Sequence, residues 1–249
     1  MEFDHAPDSL DDQVLFATPF GMRETLEIRL QVVGKVNDGC GHIDMIIHPF
    51  PRKAGPAPGA RVQPTMKREI EVYYLEMASP GELRPSSARA AGFRVERARI
   101  PSPELNRFFY TAVGGDWYWL DRLGWTWDQW LAWLDRPELE TWIGYFEGTP
   151  AGYCELEKQP AGNVELAYFG LLPGFTGRGI GGALLTAAVE RAWAMGASRV
   201  TVNTCSLDAP AALENYRKRG FRLSRTERVE KDFPEEPPGP WPGARSRRA

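Results

Sequence analysis

Cysteine is scarce in this chain and follows no pairing pattern. The 249 residues contain three cysteines, Cys40, Cys154 and Cys205, and none of them belongs to a Cys-x-x-Cys pair. An odd number of scattered cysteines argues against a disulfide framework and fits a reducing compartment. We therefore expect a cytoplasmic protein. A catalytic thiol at Cys205 is an alternative to an ordinary buried cysteine.

Long apolar runs and an excess of one charge are missing as well. No run approaches the roughly 20 residues that span a membrane, and residues 1–5 lack the basic flank and apolar core of a secretory signal. The 30 basic and 33 acidic residues leave a net charge of -3, which gives no basic surface for general nucleic-acid binding. The sequence therefore predicts neither a membrane nor a nucleic-acid partner. Its 43% hydrophobic content is ordinary for a globular protein.

What the chain does have is a dense run of glycines between a predicted strand and a predicted helix. The extended segment 164–171 leads into residues 173–182, which read Pro-Gly-Phe-Thr-Gly-Arg-Gly-Ile-Gly-Gly. Residues 183–195 then place their apolar side chains on one helical face before Gly196 ends the helix. A strand that turns through glycines into a helix leaves unpaired N–H groups at the positive end of the helix dipole. Such a turn can hold a diphosphate.

Three kinds of phosphate-binding loop share this design, and their spacing distinguishes them. The Lys-Ser/Thr of nucleoside-triphosphatase loops is missing. Gly177, Gly179 and Gly182 match the G-x-G-x-x-G fingerprint of dinucleotide-binding folds. However, the next predicted strand, 198–204, does not end in the acidic residue that holds the ribose, and Asp208 comes late. Too few residues follow for repeated βαβ units, so we disfavour a nicotinamide-binding fold.

The third kind of loop fits its surroundings as well. Leu172-Pro173, residues 176–181 (Thr-Gly-Arg-Gly-Ile-Gly) and residues 215–221 (Asn-Tyr-Arg-Lys-Arg-Gly-Phe) closely resemble, in this order, the GNAT superfamily of acetyl-CoA-dependent N-acetyltransferases. The family's phosphate loop reads Arg/Gln-x-x-Gly-x-Gly/Ala, and its last helix typically ends Tyr-x-x-x-Gly-Phe. The sequence departs from this pattern at two positions. Thr176 stands where Arg or Gln is usual, and Pro210 interrupts the usual Asn-x-x-Ala run.

The resemblance implies an α/β fold with a mixed, mostly antiparallel sheet, helices on both faces, and acetyl-CoA as cofactor. It also implies that the strand ending at Leu171-Leu172 splays from the 198–204 strand, so that the pantetheine arm lies between them. The backbone N–H near Leu171 would then meet the thioester oxygen. The residues expected to bind the cofactor are Leu171, Leu172, Thr176, Gly177, Arg178, Gly179, Ile180, Gly181, Gly182 and Asn203.

Acetyl transfer to an amine needs a group that protonates the departing thiolate and a group that deprotonates the ammonium. The resemblance places Tyr216 beside the cofactor sulfur as general acid, although a tyrosine simply packed on the sheet is the alternative. Glu165, six residues before Leu171, resembles the strand glutamate of the histone-acetylating branch and is the candidate base. Glu155, Glu157 and water are rivals for that role.

Aromatic residues are concentrated around the turn between the first two predicted helices, where most of the nine tryptophans fall. The resemblance puts this turn at the border of the acceptor pocket. We therefore expect Trp117, Tyr118 and Trp119 to line a pocket for an acceptor with an apolar or ring portion, or for a cationic amine. Core packing is the alternative, and it is our expectation for the helically spaced Trp127, Trp130 and Trp133.

Composition divides the chain into three parts. Residues 1–64 are expected to form a β-hairpin around Asn37-Asp38-Gly39 and a Pro/Gly-rich linker. His42, Asp44 and His48 share one face of this hairpin, either as a solvated surface or as a metal site. A lone hairpin is unstable, so it should pack on the main domain or on a second subunit, which makes a homodimer one expectation. Residues 65–232 are the expected acetyltransferase domain, and residues 233–249 a Pro/Glu-rich disordered tail.

The expected function is transfer of an acetyl group from acetyl-CoA to a primary amine by direct attack. The acceptor would be a small-molecule amine or a protein amino group. A non-catalytic acyl-CoA-binding sensor or partner module is the alternative. The elements predicted for the main domain are strands at 69–77, 93–98, 139–146, 151–158, 164–171, 198–204 and from 221, with helices at 102–114, 126–135, 183–195 and 209–219.

Overall fold

The structure, a computed structural model, describes residues 64–86, 91–241 and 244. Within these residues one sheet carries helices on both faces, so the predicted mixed α/β class is confirmed. The strands are β1 (Thr65–Met77), β2 (Phe93–Ala98), β3 (Leu139–Phe146), β4 (Thr149–Lys158), β5 (Asn163–Leu171), β6 (Arg199–Cys205) and β7 (Arg222–Pro234). The helices are α1 (Pro103–Gly114), α2 (Trp127–Leu134), α3 (Ile180–Ala194) and α4 (Ala212–Lys218). The predicted hairpin, with His42, Asp44 and His48, lies outside the described residues.

The seven strands follow the order β2-β3-β4-β5-β6-β1-β7, and every neighbouring pair except β5–β6 is antiparallel. The first described strand, β1, is therefore not an appendage. It lies between β6 and β7, where Val72 pairs with Cys205 on one side and with Glu227 on the other. Periodicity in the sequence predicts that β1 is a strand, but it carries no information about which strands lie beside it.

The parallel contact between β5 and β6 is short. Only three residue pairs join the two described strands, and the last of them is Glu165 with Thr201. β5 then continues to Leu171, and a bulge against β4 leaves Ala167 without its own partner, because Leu166 pairs with Leu156 and Tyr168 with Glu155. A bulge bends and twists the strand that carries it. The two strands consequently stop pairing after Glu165, in agreement with the splay that the resemblance implies.

Alternation along the strands assigns the helices to opposite faces of the sheet. On β4, Cys154 and Leu156 point to one face of the sheet and pack against α3 and α4. Tyr153 points to the other face and packs against α1 and α2. The α3–α4 face has a mainly aliphatic core. The α1–α2 face has a core dominated by aromatic rings, among them Phe109, Tyr110, Trp130 and Tyr168.

The two helices of the aromatic face begin at side-chain caps. Ser102 accepts a hydrogen bond from the N–H of Leu105 (3.3 Å), and Thr126 forms a capping box with Gln129. Trp130 is 1% exposed, but Trp127 is 53% exposed, so the expected core position of Trp127 is wrong. Trp127 is the first residue of α2, and its Nε1 donates outward to Glu104 Oε1 at 2.7 Å.

The last strand reaches beyond residue 232, where the tail was expected to begin. Phe233 is fully buried in β7, and the Glu235 carbonyl oxygen accepts a hydrogen bond from Arg68 Nη2 at 2.7 Å. Farther on, the N–H of Gly239 donates to the carbonyl of Gly115 at 2.8 Å. A composition rich in proline and glutamate does not reveal this pairing, because the pairing depends on β1.

None of the described helices is both long and apolar enough to cross a membrane.

Gly220, between α4 and β7, provides a test of this packing. Its φ is +102°, and a Cβ there would lie 1.9 Å from the carbonyl oxygen of Glu82. We expect Gly220→Ala to lower the free energy of unfolding by about 3 kcal/mol or more, from backbone strain plus overpacking. Chemical denaturation measures this change.

Gly196→Ala is the matched control. Gly196 also has a positive φ, +87°, but no described atom lies within 4 Å of its added Cβ. It should cost only the strain, about 1–2 kcal/mol. Equal losses in the two variants would show that the contact with Glu82 is unimportant.

Candidate active site

The glycine loop connects the end of β5 to the start of α3. Gly177 (φ +75°) and Gly179 (φ +77°) have the left-handed backbone that favours glycine. Gly179 is also the residue before the first turn of α3, and no described side chain caps that turn. The first N–H groups of the helix therefore have no capping partner and point away from it. Ile180 is fully buried and anchors the turn.

The end of β5 lies directly beside this helix start. The N–H of Leu172 donates to the carbonyl of Ala151 on β4 at 2.8 Å. Because successive N–H groups of a strand point to opposite edges, the N–H of Leu171 is directed toward β6, where pairing has ended. A Cβ on Gly181 would lie 3.4 Å from Leu171 Cδ1, so the strand end and the helix start are in contact.

Tyr216 is buried on the α3–α4 face, with 6% of its surface exposed. Its ring centroid lies 6.1 Å from that of Phe169 and 5.9 Å from that of Phe221. Its hydroxyl makes no hydrogen bond to any described residue. Burial raises the pKa of this phenol, and the nearby charge of Asp208 raises it further. The proton therefore stays on Tyr216 at neutral pH, as a proton donor requires.

Glu165 lies on β5 on the opposite face of the sheet and is 6% exposed. Its carboxylate accepts hydrogen bonds from Gln159 Nε2 and from Asn203 Nδ2, the latter at 3.1 Å. Burial raises the pKa of Glu165 to about 7, with a further rise from the charge of Glu157, while both amides lower it. Asn203, expected to contact the cofactor, thus uses its amide to hold Glu165.

The two rival carboxylates on β4 are neutralised by arginines. Glu155 accepts hydrogen bonds from Arg122 Nη1 (2.8 Å), Asn106 Nδ2 (2.9 Å) and Trp133 Nε1 (3.1 Å). Glu157 pairs with Arg136 Nη1 at 2.7 Å. Glu165 has no ion pair among the described residues. Both rival carboxylates thus bind an arginine, whereas Glu165 is bound only by amides, and this difference favours Glu165 as the candidate base.

Arg122 is the residue at this site that the sequence analysis missed. It is 4% exposed, and its guanidinium carbon lies 4.2 Å from the ring centroids of both Trp133 and Tyr168. The rings of Trp125 and Trp130 are also near, at 4.8 Å and 5.6 Å. Cation–π contacts and the Glu155 pair anchor the loop between α1 and α2 to the sheet. The sequence signal that could have identified Arg122 is its position as a single arginine within a tryptophan-rich segment.

The side chains of Trp117, Tyr118 and Trp119, in the loop between α1 and α2, point in different directions. Tyr118 is 8% exposed and packs on Phe233, while its hydroxyl accepts a hydrogen bond from Arg68 Nη1 at 3.1 Å. Trp119 turns to the other side and lies 4.9 Å from the ring of Tyr168 on β5. Trp117 is half-buried, and its N–H donates to Gly114. Trp119 is therefore the member of the group that contacts β5.

A groove of about 760 Å³ lies at the other end of α3, lined by residues of β2, β3 and β4 and by Arg191 and Met195. Neither Tyr216, Glu165 nor the glycine loop borders it. No group of three or more His, Cys, Asp or Glu side chains among the described residues is arranged to hold a metal ion. Tyr216, Glu165 and the glycine loop all lie near the point where β5 and β6 stop pairing.

Comparison with known proteins identifies the family. Residues 103–221 match the model of the Acetyltransferase (GNAT) family, so the predicted family is confirmed. The chain is similar to a GCN5-related N-acetyltransferase from Sphaerobacter thermophilus, at 19% identity and a TM-score of 0.50, over 69% of this chain and 54% of that one. A GCN5-related N-acetyltransferase from Kribbella flavida gives 21% identity and a TM-score of 0.48, over 66% and 58%.

These likenesses concern the fold. The chain spans little more than half the length of the two similar structures, with 54% and 58% of them covered. None of the curated proteins compared matches the chain.

The raised pKa of Glu165 predicts a distinctive dependence of stability on pH. Its carboxyl group holds a proton up to about pH 7 when folded, against an ordinary value of 4.5. The folded state therefore binds more protons in this window, and stability falls as pH rises from about 4.5 to about 7. The carboxyl group should account for up to about 3 kcal/mol of this fall.

Glu165→Gln removes that contribution. Denaturant unfolding of both proteins between pH 4 and 8 should show the wild type losing stability relative to the variant across this window and no further above it. A constant difference would mean that Glu165 ionises in the folded protein as it does when unfolded.

Proposed function

Because the chain carries an acetyltransferase domain of the GNAT family, we propose that it transfers an acetyl group from acetyl-CoA to a primary amine. The acceptor is a small-molecule amine or a protein amino group. The observation that carries the proposal is the separation of β5 from β6, which opens beside the uncapped start of α3. Tyr216 lies on one face of the sheet at this gap and Glu165 on the other.

The residues present suit coenzyme A. The diphosphate would accept hydrogen bonds from backbone N–H groups of residues 176–182, where glycines leave the backbone open to it. The pantetheine arm would lie along the free edge of β5 like an added strand. The N–H of Leu171, directed toward β6, would donate to the thioester oxygen and stabilise the negative charge that develops there.

Direct attack assigns a role to each ionisable group. The amine nitrogen bonds to the thioester carbon, the carbon–sulfur bond breaks, and the thiolate takes the phenolic proton of Tyr216. The second proton of the nitrogen leaves to water, and the Tyr216 phenolate regains a proton from water. The proton lost by the incoming ammonium passes to Glu165, directly or through a water. With a pKa of about 7, Glu165 is substantially ionised at neutral pH and still basic enough to accept that proton.

The first test is Tyr216→Phe. We expect turnover of acetyl-CoA with a responsive amine to fall by about 100-fold or more, since the thiolate loses its proton donor. The dissociation constant of CoA should change little, because the ring remains in place. Free-thiol release measures turnover, and calorimetry measures binding.

Tyr145→Phe is the control for this test. Its ring packs with Arg94, whose guanidinium carbon lies 4.6 Å away, and β3 is separated from β5 by β4. An undiminished rate in Tyr216→Phe would remove Tyr216 from the mechanism. CoA binding without turnover across all amine classes would favour the sensor function, and preferential binding of NAD(P) would overturn the proposal.

The second test concerns the base. With a single acceptor amine, wild-type kcat/KM should rise with pH through about 7 as Glu165 loses its proton. Glu165→Gln should lower kcat/KM by about 100-fold and lose this rise. Because both enzymes use the same amine, ionisation of the amine contributes equally to the two profiles. Identical profiles would assign the role of base to water or to another group.

A further inference from the structure

Arg219, directly after α4, has two guanidinium nitrogens without a partner among the described residues. Its Nε and Nη1 are buried and form no hydrogen bond within the part of the chain that the structure describes. Arginine is always charged at physiological pH, and leaving a charged donor buried without a partner is costly. We therefore expect this buried, charged guanidinium to bind an anion that is not a side chain of the described residues.

The side chain is directed at the start of α3. Arg219 Nη1 lies 3.4 Å from the position that a Cβ on Gly182 would occupy. Gly182 is the third residue of α3, so Arg219 Nη1 lies against the first turn of this helix, whose N–H groups have no side-chain cap. The absence of a side chain at Gly182 leaves room for it.

The backbone of Arg219 is held firmly in this place. Its N–H donates to the carbonyls of Asn215 and Tyr216, at 3.2 Å and 3.0 Å. Its own carbonyl accepts a hydrogen bond from the N–H of Arg84 at 3.0 Å. The guanidinium is therefore positioned from a fixed main chain, which reduces the entropy lost when it binds an anion.

The glycine loop itself lacks a charged side chain committed to the helix start. Thr176 stands where Arg or Gln is usual, and its hydroxyl donates to the carbonyl of Pro173 at 2.9 Å. Arg178 is exposed, and its Nε donates to the carbonyl of Gly174 at 3.3 Å. The phosphate subsite would thus have backbone donors but no buried cation from its own loop.

We propose that Arg219 binds an oxygen of the acyl-CoA diphosphate at the start of α3, supplying from the residue after α4 the side-chain contact that Thr176 does not make. The planar guanidinium can donate two parallel hydrogen bonds to one phosphate group. This assignment rests on the proposed function, because it takes acyl-CoA as the ligand of the glycine loop.

The test compares acetyl-CoA binding by calorimetry in the wild type, Arg219→Gln and Arg219→Lys. Arg219→Gln should weaken binding by about 10- to 100-fold, as expected for loss of a charged hydrogen bond. Arg219→Lys keeps the charge but not the fork, so its loss should be smaller. Arg217→Gln is the matched control, since it removes the same charge from an exposed residue that pairs with Glu214. It should change binding by less than about twofold.

Shortened ligands identify the phosphate. With dephospho-CoA, which lacks only the 3′-phosphate, the loss in Arg219→Gln should persist. With S-acetylpantetheine, which has no phosphate, wild type and variant should bind equally. A difference that disappears with dephospho-CoA would place Arg219 at the 3′-phosphate and overturn the assignment.

Stability separates a binding role from a structural one. Because an unpartnered buried charge does not stabilise the free protein, Arg219→Gln should unfold at the same denaturant concentration as wild type, or at a higher one. Lower stability with unchanged acetyl-CoA binding in both Arg219 variants would make Arg219 structural and overturn this inference alone. If the wild type itself fails to bind acetyl-CoA, the proposed function fails with it.

Discussion

The arrangement of this domain depends on the loss of hydrogen bonding between two parallel strands. After Glu165 and Thr201, β5 and β6 stop pairing, which leaves backbone N–H and C=O groups facing each other across an open edge. Unpaired backbone groups are tolerated in a protein interior only where another partner can reach them. The bulge at Ala167 bends β5 away, and the glycine turn then directs the chain into α3 at the mouth of the opening. The candidate site is thus a defect in the sheet that the surrounding elements keep open.

The chemistry proposed for the site follows from a difference in the hydrogen-bond partners of three buried carboxylates on one face of the sheet. Glu155 and Glu157 each have an arginine partner, whereas Glu165 has only amide donors. Amides orient a carboxylate without neutralising it, so burial raises the pKa of Glu165 to about 7. On the opposite face, Tyr216 sits among apolar rings that keep its phenol protonated. The proposed proton acceptor and the proposed proton donor therefore lie on opposite faces of the same sheet.

Features set by local sequence were predictable, and features set by distant contacts were not. The predicted strand bounds 93–98 and 139–146 agree with the structure, and the predicted helix starts at 102 and 126 coincide with the capping residues Ser102 and Thr126. α4 begins at Ala212 rather than 209, after the turn that contains Pro210. The partners of Arg122 and Asn203 could not be predicted, because each is bound to a residue far along the chain. Trp127 shows the limit of helical spacing, since the first turn of a helix can face away from the core.

The place of β1 also bears on how the domain acquires its structure during synthesis. The ribosome makes β1 before any other described strand, yet its neighbours β6 and β7 lie near the far end of the chain: Val72 pairs with Cys205 and with Glu227. Domains rich in such long-range pairings fold slowly, and their unpaired strands are exposed to aggregation in the meantime. β1, with its buried Ile70, Val72 and Leu75, must therefore remain unpaired until translation of the domain is nearly complete. During that interval the apolar residues of β1 are open to aggregation.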